Sequence, residues 1–501
     1  MEKKTARNQI DMTSGPILGK MLQFAFPLMC SSVLQLLFNA ADVIVVGRFA
    51  GDHSLAAVGS VGSLVNLLVN LFLGVSVGVN VLTARYFGGR DRRRLEETVH
   101  TAMLFSIIGG GILTGIGLLF ASPLLKLMDS PETVRPLAAL YLRIYFLGMP
   151  AMMIYNFGSA ILRAKGDTKR PLIFLSIAGV INVALNLVFV IVFKWDVAGV
   201  GAATALSQCV SAALVWSCLV HEQSGFRLIP RFMHINRDRM IGMLKIGLPA
   251  GLSGVLFSLS NMVIQTSING FGDIAMAGNA AGGNLDGFVY VSMNAFNQAA
   301  ISFAGQNAGA RRFERIQPIA RRAVGSAVVT GLILGSLVYV FGETLLGIYS
   351  RSPEVIEQGM IRLLYVCLPY FLCGIMDAAV GIIRGLGYSL VPTVITLVGA
   401  CGLRIIWLNT IFRIPRFHTL PVVFISYPIS WAATALCLIG YFFFIWRRDF
   451  VPQMAAIRQR QEAEQAAAAR LEEQTAAVKP MAETKPEVVE LVGAKPEGKE
   501  A

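Results

Sequence analysis

The sequence predicts an all-α, polytopic membrane protein with twelve transmembrane helices in two pseudo-symmetric six-helix bundles. Three observations predict it. Only 15% of the 501 residues are charged and 55% are hydrophobic, whereas a soluble chain carries about 25% charged residues. Apolar stretches long enough to cross a hydrocarbon core of about 30 Å recur along most of the chain. The pattern of the first half also returns in the second half with a nearly constant offset.

The apolar runs lie near 17–46, 55–87, 98–121, 136–161, 171–193, 197–220, 242–270, 275–306, 319–342, 356–383, 391–412 and 420–446. Proline and glycine inside several of them fit membrane helices, which tolerate both better than soluble helices do. The first run holds Pro27 and Asp42 and is followed by no small-residue cleavage site, so it reads as a membrane helix and not a removable leader. With the N-terminus inside, basic clusters such as Arg90–Arg94, Arg163–Arg170 and Arg311–Arg322 all fall on the inner side. Outer segments hold few basic residues, Lys126 and Lys194 among them. This positive-inside bias sets the orientation, accounts for the net charge of +13 without nucleic acid, and suits contact with anionic lipid.

The repeat pairs Pro27 with Pro249, Asn39 with Asn261, Asp52 with Asp273 and Arg90 with Arg311. It also pairs Ser130-Pro131-Glu132 with Ser352-Pro353-Glu354, and Arg163, Gly166 and Pro171 with Arg384, Gly387 and Pro392. The offset is roughly 221 residues. Six helices per half return the chain to its starting side, so the halves share one topology and flank a cavity, as in transporters. The expected organisation is an inner N-terminal segment 1–16, a first lobe 17–221, a linker 222–241, a second lobe 242–447 and an inner tail 448–501. The tail is expected to be helical over 455–478 and disordered beyond.

Ionisable and polar groups inside the spans are costly, so they mark candidate sites. Asp42 lies in the outer half of the first span. Burial disfavours the charged form of a carboxylate, so Asp42 could take up a proton on one side and release it on the other, or hold a sodium ion or an organic cation. It could equally be an interfacial helix cap. Asn182 and Asn186 are one turn apart on the fifth span and share a face, and Thr204 follows in the sixth. Their oxygens suit a hard cation or a protonated carboxyl, or alternatively plain interhelical hydrogen bonding. In the second half, Asp286 and Asp377 are either functional acids or structural partners of Arg362 or Arg404. Asn39, Tyr290, Asn294 and Gln298 are further candidates for lining a substrate cavity, while Arg143 and Arg362 are expected to snorkel or pair.

The seven cysteines sit in apolar runs and read as small buried hydrophobes; the five histidines show no metal spacing. No Gly-Lys-Ser/Thr phosphate loop is present, so an ion gradient and not ATP is expected to drive transport. No catalytic constellation and no cofactor are expected.

The residues resemble those of the MATE family, the multidrug and toxic compound extrusion transporters, over roughly residues 15–447. The marks are Pro27 with Asp42 and Gly47 behind it, Ile161-Leu162-Arg163-Ala164-Lys165-Gly166-Asp167-Thr168-Lys169-Arg170-Pro171, Gly199-Val200-Gly201-Ala202-Ala203-Thr204-Ala205-Leu206-Ser207-Gln208, and Gly305-Gln306-Asn307-Ala308-Gly309-Ala310. The resemblance implies a V-shaped pair of six-helix lobes in a bacterial inner membrane, with both termini cytoplasmic and acting as a monomer. It also implies export of lipophilic, often cationic compounds against inward protons or sodium. Asp42 would be the ion-responsive carboxylate, Asn182, Asn186 and Thr204 its neighbours, and Pro27 the hinge of the first helix. Some relatives carry an acid where Asn186 stands, which tilts the coupling ion toward the proton. Others carry a glutamate in the seventh span, where Phe257-Ser258-Leu259-Ser260-Asn261 has none, and an acid near Cys373, one turn from Asp377. The alternative function is a flippase for lipid-linked sugar precursors on a related fold.

Overall fold

The computed structural model describes residues 9–127, 131–222 and 225–478. Their regular structure is all helical, with no β-strand among the described residues. The described residues divide into two compact units, the first ending at Phe442 and the second beginning at Phe443.

Twelve passes account for the first unit. They are α1 (Ile17–Phe49), α2 (Asp52–Gly88), α3 (Arg92–Leu127), α4 (Arg135–Leu147 with Met149–Lys165), α5 (Lys169–Val192) and α6 (Asp196–Val220). The second set is α7 (Arg237–Asn269), α8 (Asp273–Gly309), α9 (Ile316–Val340), α10 (Pro353–Gly385), α11 (Leu390–Arg413) and α12 (Leu420–Ile445), whose last three residues begin the second unit. Among the described residues, ten of these are long and apolar enough alone to cross a membrane, and α4, bent by 46° at Gly148, makes eleven. The remaining pass, α8, is too polar for that test. It buries Asn279, Asp286, Asn297, Gln306 and Asn307 because it packs against α1, α2, α9 and α10. Inside the bundle, polar side chains have partners that lipid lacks.

The repeat is written into the backbone. Gly51 and Gly272, Arg90 and Arg311, and Gly166 and Gly387 are the same residues of the two halves, and each pair has positive φ: 82° and 89°, 56° and 56°, 99° and 94°. Glycine adopts this left-handed region at no steric cost, which explains its recurrence at two of the three pairs. The turns match in hydrogen bonding as well. Asp167 N donates to Leu162 O, and Tyr388 N donates to Ile383 O. Pro27 and Pro249 sit inside unbroken helices, and Ser31 and Ser253 each donate to the proline carbonyl one turn back, at 2.9 and 3.1 Å. Such back-bonding bends helices.

The halves meet closely at the end of the bundle that carries the N-terminus. A Cβ on Gly74 would lie 2.1 Å from Gly251 N, one on Gly78 2.2 Å from Met243 O, and one on Gly88 2.0 Å from Gln306 O. Toward the other end of α2, a Cβ on Gly59 or Gly62 would meet open space. The segment before α1 ties the same end together. Ile10 N donates to Gly166 O in the first half, while Asn307 donates to Met12 O, Arg312 to Thr13 O and Arg315 to Gly15 O in the second. Met12 is fully buried there.

The seven cysteines are free, and Cys209 and Cys437 are exposed, not buried as expected; they lie on outward faces of apolar helices, where lipid would replace packing. In the second unit, Val451–Val478 forms a helix, and its side chains over 451–470 are almost wholly exposed. The stretch expected to be disordered beyond 478, the first eight residues and Ser130 of the repeat lie outside the described residues.

Candidate functional site

Asp42, Asn182, Asn186 and Thr204, drawn from three helices, meet in one hydrogen-bonded ring. Asn186 Nδ2 donates to Asp42 Oδ1 and to Asn182 Oδ1 at 3.3 Å. Asn182 Nδ2 donates to Thr204 Oγ1 at 3.4 Å, and that hydroxyl donates to Asp42 Oδ2 at 3.5 Å. Asn182 and Asn186 are buried, while Asp42 and Thr204 are half-buried. The ring has a direction: its donors lead toward a carboxylate that only accepts, which is the chemistry of ionised Asp42. Asn186 Oδ1 is buried and has no partner.

Local sequence explains the meeting. Gly179, Asn182 and Asn186 are three and four residues apart and share one face of α5. A Cβ on Gly179 would fall 1.8 Å from the ring of Phe38, one turn before Asp42 on α1. The missing side chain is thus what lets α1 and α5 approach. On α6, Gly201 receives Tyr141 and Ile144 of α4, and Thr204 stands one turn further along the same face. Just past Asn186, residues Val188–Val192 wind as a π-helical turn, a distortion frequent at functional sites. Tyr141 and Tyr145 lie within electrostatic range of Asp42, their rings 5.9 Å apart. Sequence reasoning missed both, because two tyrosines one turn apart read equally well as packing residues.

A cavity of about 490 Å³ lies among α7, α8, α10, α11 and α12, with Asn70 and Val77 of α2 at its wall. Tyr290, Asn294, Gln298 and Asp377 line it, as do Cys373, Phe257, Ser258 and Asn261. Asn39 does not: it is exposed on α1. Asp286 does not either. It is buried in an ion pair with Arg362, Nη2 to Oδ2 2.8 Å, and Arg362 also donates to Asn279. The pairing alternative therefore holds for Asp286, and Arg362 is spoken for. Asp377 faces Asn294 and feels the charge of Arg384, which is held by Ser253 and Thr393 at 3.3 and 3.4 Å. Arg404 also lines the cavity, with its Nε donating to Ser430 Oγ at 2.8 Å.

The family signatures have visible structural work. Lys165 Nζ lies 2.6 Å from Glu222 Oε1, and Arg170 bridges Glu222 and Asp167. Burial alone would raise the Glu222 carboxyl, but the hydrogen bond and charge of Lys165, with Arg170, hold it below its ordinary value. Gln306 crosses between halves to donate to Ala164 O at 2.6 Å.

The chain matches the family model MatE over residues 27–188 and 249–408. It also matches the model for the lipid II flippase MurJ over residues 130–268. It is 28% identical over 440 residues to the probable multidrug resistance protein YoeA of Bacillus subtilis (strain 168), covering 86% of this chain and 94% of that one. The probable multidrug resistance protein YpnP of the same organism is 29% identical over 398 residues, covering 79% and 88%. A solved structure described as the outward-facing conformation of a multidrug resistance MATE family transporter superposes with a TM-score of 0.81 at 21% identity. That match covers 90% of this chain and 99% of the other.

Proposed function

The chain belongs to the MatE family, and from that premise we propose that it is a secondary active exporter, an antiporter that expels amphipathic small molecules in exchange for inward protons. One observation carries the coupling assignment: the closed ring in which Asn186, Asn182 and Thr204 converge on Asp42. As drawn, the ring satisfies a carboxylate. A protonated Asp42 has an O–H to donate and so needs an acceptor, and the unpartnered Asn186 Oδ1 supplies one when the amide turns over. Proton uptake thus reverses the sense of the hydrogen bond between α1 and α5, beside a helix already carrying Pro27 as its bend. A sodium ion is the second reading of the same oxygens. The proton is preferred because Asn186 contributes an amide and not a second carboxylate, and hard cations favour charged oxygens.

The halves are joined at the end bearing the N-terminus, while Gly59 and Gly62 toward the other end of α2 face open space. With the basic loops cytoplasmic, this supports a state open to the outside of a bacterial inner membrane, with both termini inside. The gradient supplies the free energy and no nucleotide or cofactor is needed. Reconstituted protein tests this: efflux of a fluorescent substrate is measured under a proton gradient and then a sodium gradient, with Asp42→Asn alongside. Coupled efflux should vanish in the variant while insertion and folding persist. Undiminished gradient-driven efflux by Asp42→Asn would reject the assignment. The match to the MurJ model over 130–268 favours a second reading, a lipid flippase. Labelled-lipid inversion without any drug efflux would select it.

A further inference from the structure

The charges around the cavity do not balance. Its ionised side chains are Asp377, Arg384 and Arg404. Asp377 and Arg384, seven residues apart on one face of α10, offset each other electrostatically. Arg404 is left over. It is 2% exposed, and among the described residues no carboxylate approaches it within ion-pair distance. Its guanidinium carbon lies 4.2 Å from the centroid of the Tyr427 ring and 5.5 Å from that of Trp431, and its Nε donates to Ser430 Oγ. Its Nη2 is buried and has no hydrogen-bond partner.

A buried cation without a counter-ion is costly unless something completes it. The arginine fork matches carboxylate, sulfonate and phosphate oxygens. The same wall offers ring faces and edges: Tyr370 meets Trp431 at 4.9 Å and Tyr290 at 6.3 Å, both edge-on. A lipophilic cation would find the rings but would also face an uncompensated positive charge in a low-dielectric enclosure. An aromatic anion would find both.

We propose that this cavity accepts an aromatic organic anion whose acid group pairs with the Arg404 guanidinium at the cavity wall while its ring packs among Tyr290, Tyr370 and Trp431. This deepens the exporter reading by fixing the charge class of the cargo in this cavity, and rests on it. The anionic group could belong to a free solute or to a lipid headgroup.

The test is binding to purified full-length protein without any gradient, so that its failure is separable from failure of the coupling assignment. The matched probes are pyrenesulfonate and pyrenemethylammonium, with protein-free micelles as background. The sulfonate should bind at least about tenfold tighter than the ammonium, since an uncompensated like charge costs more than about tenfold in affinity. Arg404→Gln should erase that preference, and Arg404→Lys should retain part of it. Asp377→Asn, which leaves Arg404 in place, should strengthen sulfonate binding and covers the case in which Arg404→Gln does not fold. Competition by a long-chain anionic phospholipid but not by a soluble naphthoate would assign the site to a lipid headgroup; the reverse would assign it to a solute. Equal or tighter binding of the ammonium, or an unchanged preference in both Asp377→Asn and Arg404→Lys, would overturn the proposal.

Discussion

Asn186 reaches from α5 to α1 and donates one amide hydrogen to the Asp42 carboxylate while its own oxygen is left buried and unpaired. A group with one end satisfied and the other idle can turn over, and in turning it exchanges a donor for an acceptor at Asp42.

Asn186→Asp puts a second carboxylate against the first. Two negative charges so close favour either a shared proton or a bound cation. The expected outcome is efflux that becomes stimulated by a sodium gradient, measured in proteoliposomes at fixed proton gradient. Indifference to sodium in this variant would count against a cation-binding geometry in the ring.

Gly179→Ala drives a methyl group into Phe38. Overpacking of this kind costs about 1–3 kcal/mol, and here the displaced element is the helix that carries Asp42. Coupled efflux should fall more than thermal stability does. Adding Phe38→Leu makes room, so the double variant should recover efflux, and a double-mutant cycle reads the coupling directly.

Glu222→Gln leaves Lys165 buried with a neutral partner and frees one end of Arg170. Removing one member of a buried ion pair costs about 3–5 kcal/mol. Thermal unfolding of the detergent-solubilised protein should show a clear loss of stability, and acidification should remove the same contribution in the wild type. Because the folded carboxyl is held below its ordinary value, its stabilisation is complete above that value. It is lost as pH falls through the folded one.

Asp11 supplies a second pH signature. Burial pushes its carboxyl up, but hydrogen bonds from Ser14 and Thr13, together with Lys20, outweigh this and bring it from 3.8 to about 2. The contribution is therefore present above pH 3.8 and disappears as pH falls toward about 2. Hydrogen exchange at residues 10–15 should accelerate across that window in the wild type. In Asp11→Asn, exchange should already be faster at neutral pH and show no step.

Much of the architecture was legible because it is local. Run lengths gave the twelve passes to within a few residues. The offset of Gly166 and Gly387 or Arg90 and Arg311 gave a repeat that the backbone repeats as positive φ. Asn182 and Asn186 declared a shared face by spacing alone. What stayed hidden depends on contacts between distant segments. Nothing in Ile161–Pro171 announces that Lys165 and Arg170 wait for Glu222, more than fifty residues on. Arg404 could be suspected only as a partner for an acid, because the aromatic pair that holds it, Tyr427 and Trp431, lies on another helix. Asn39 looked like a cavity residue because polarity in a span signals an interior; it is exposed and does not line the cavity among α7, α8, α10, α11 and α12, so polarity alone does not say which surface a side chain reaches.

The short polar run ahead of the first membrane helix belongs to neither half and is held by both. Ile10 is anchored on one repeat, Met12, Thr13 and Gly15 on the other. Any rocking that parts the repeats at this end must first peel that ribbon from at least one of its moorings. In the exporter proposed above, trimming residues 10–15 removes these moorings and should therefore change how long each access state lasts without touching the cavity itself.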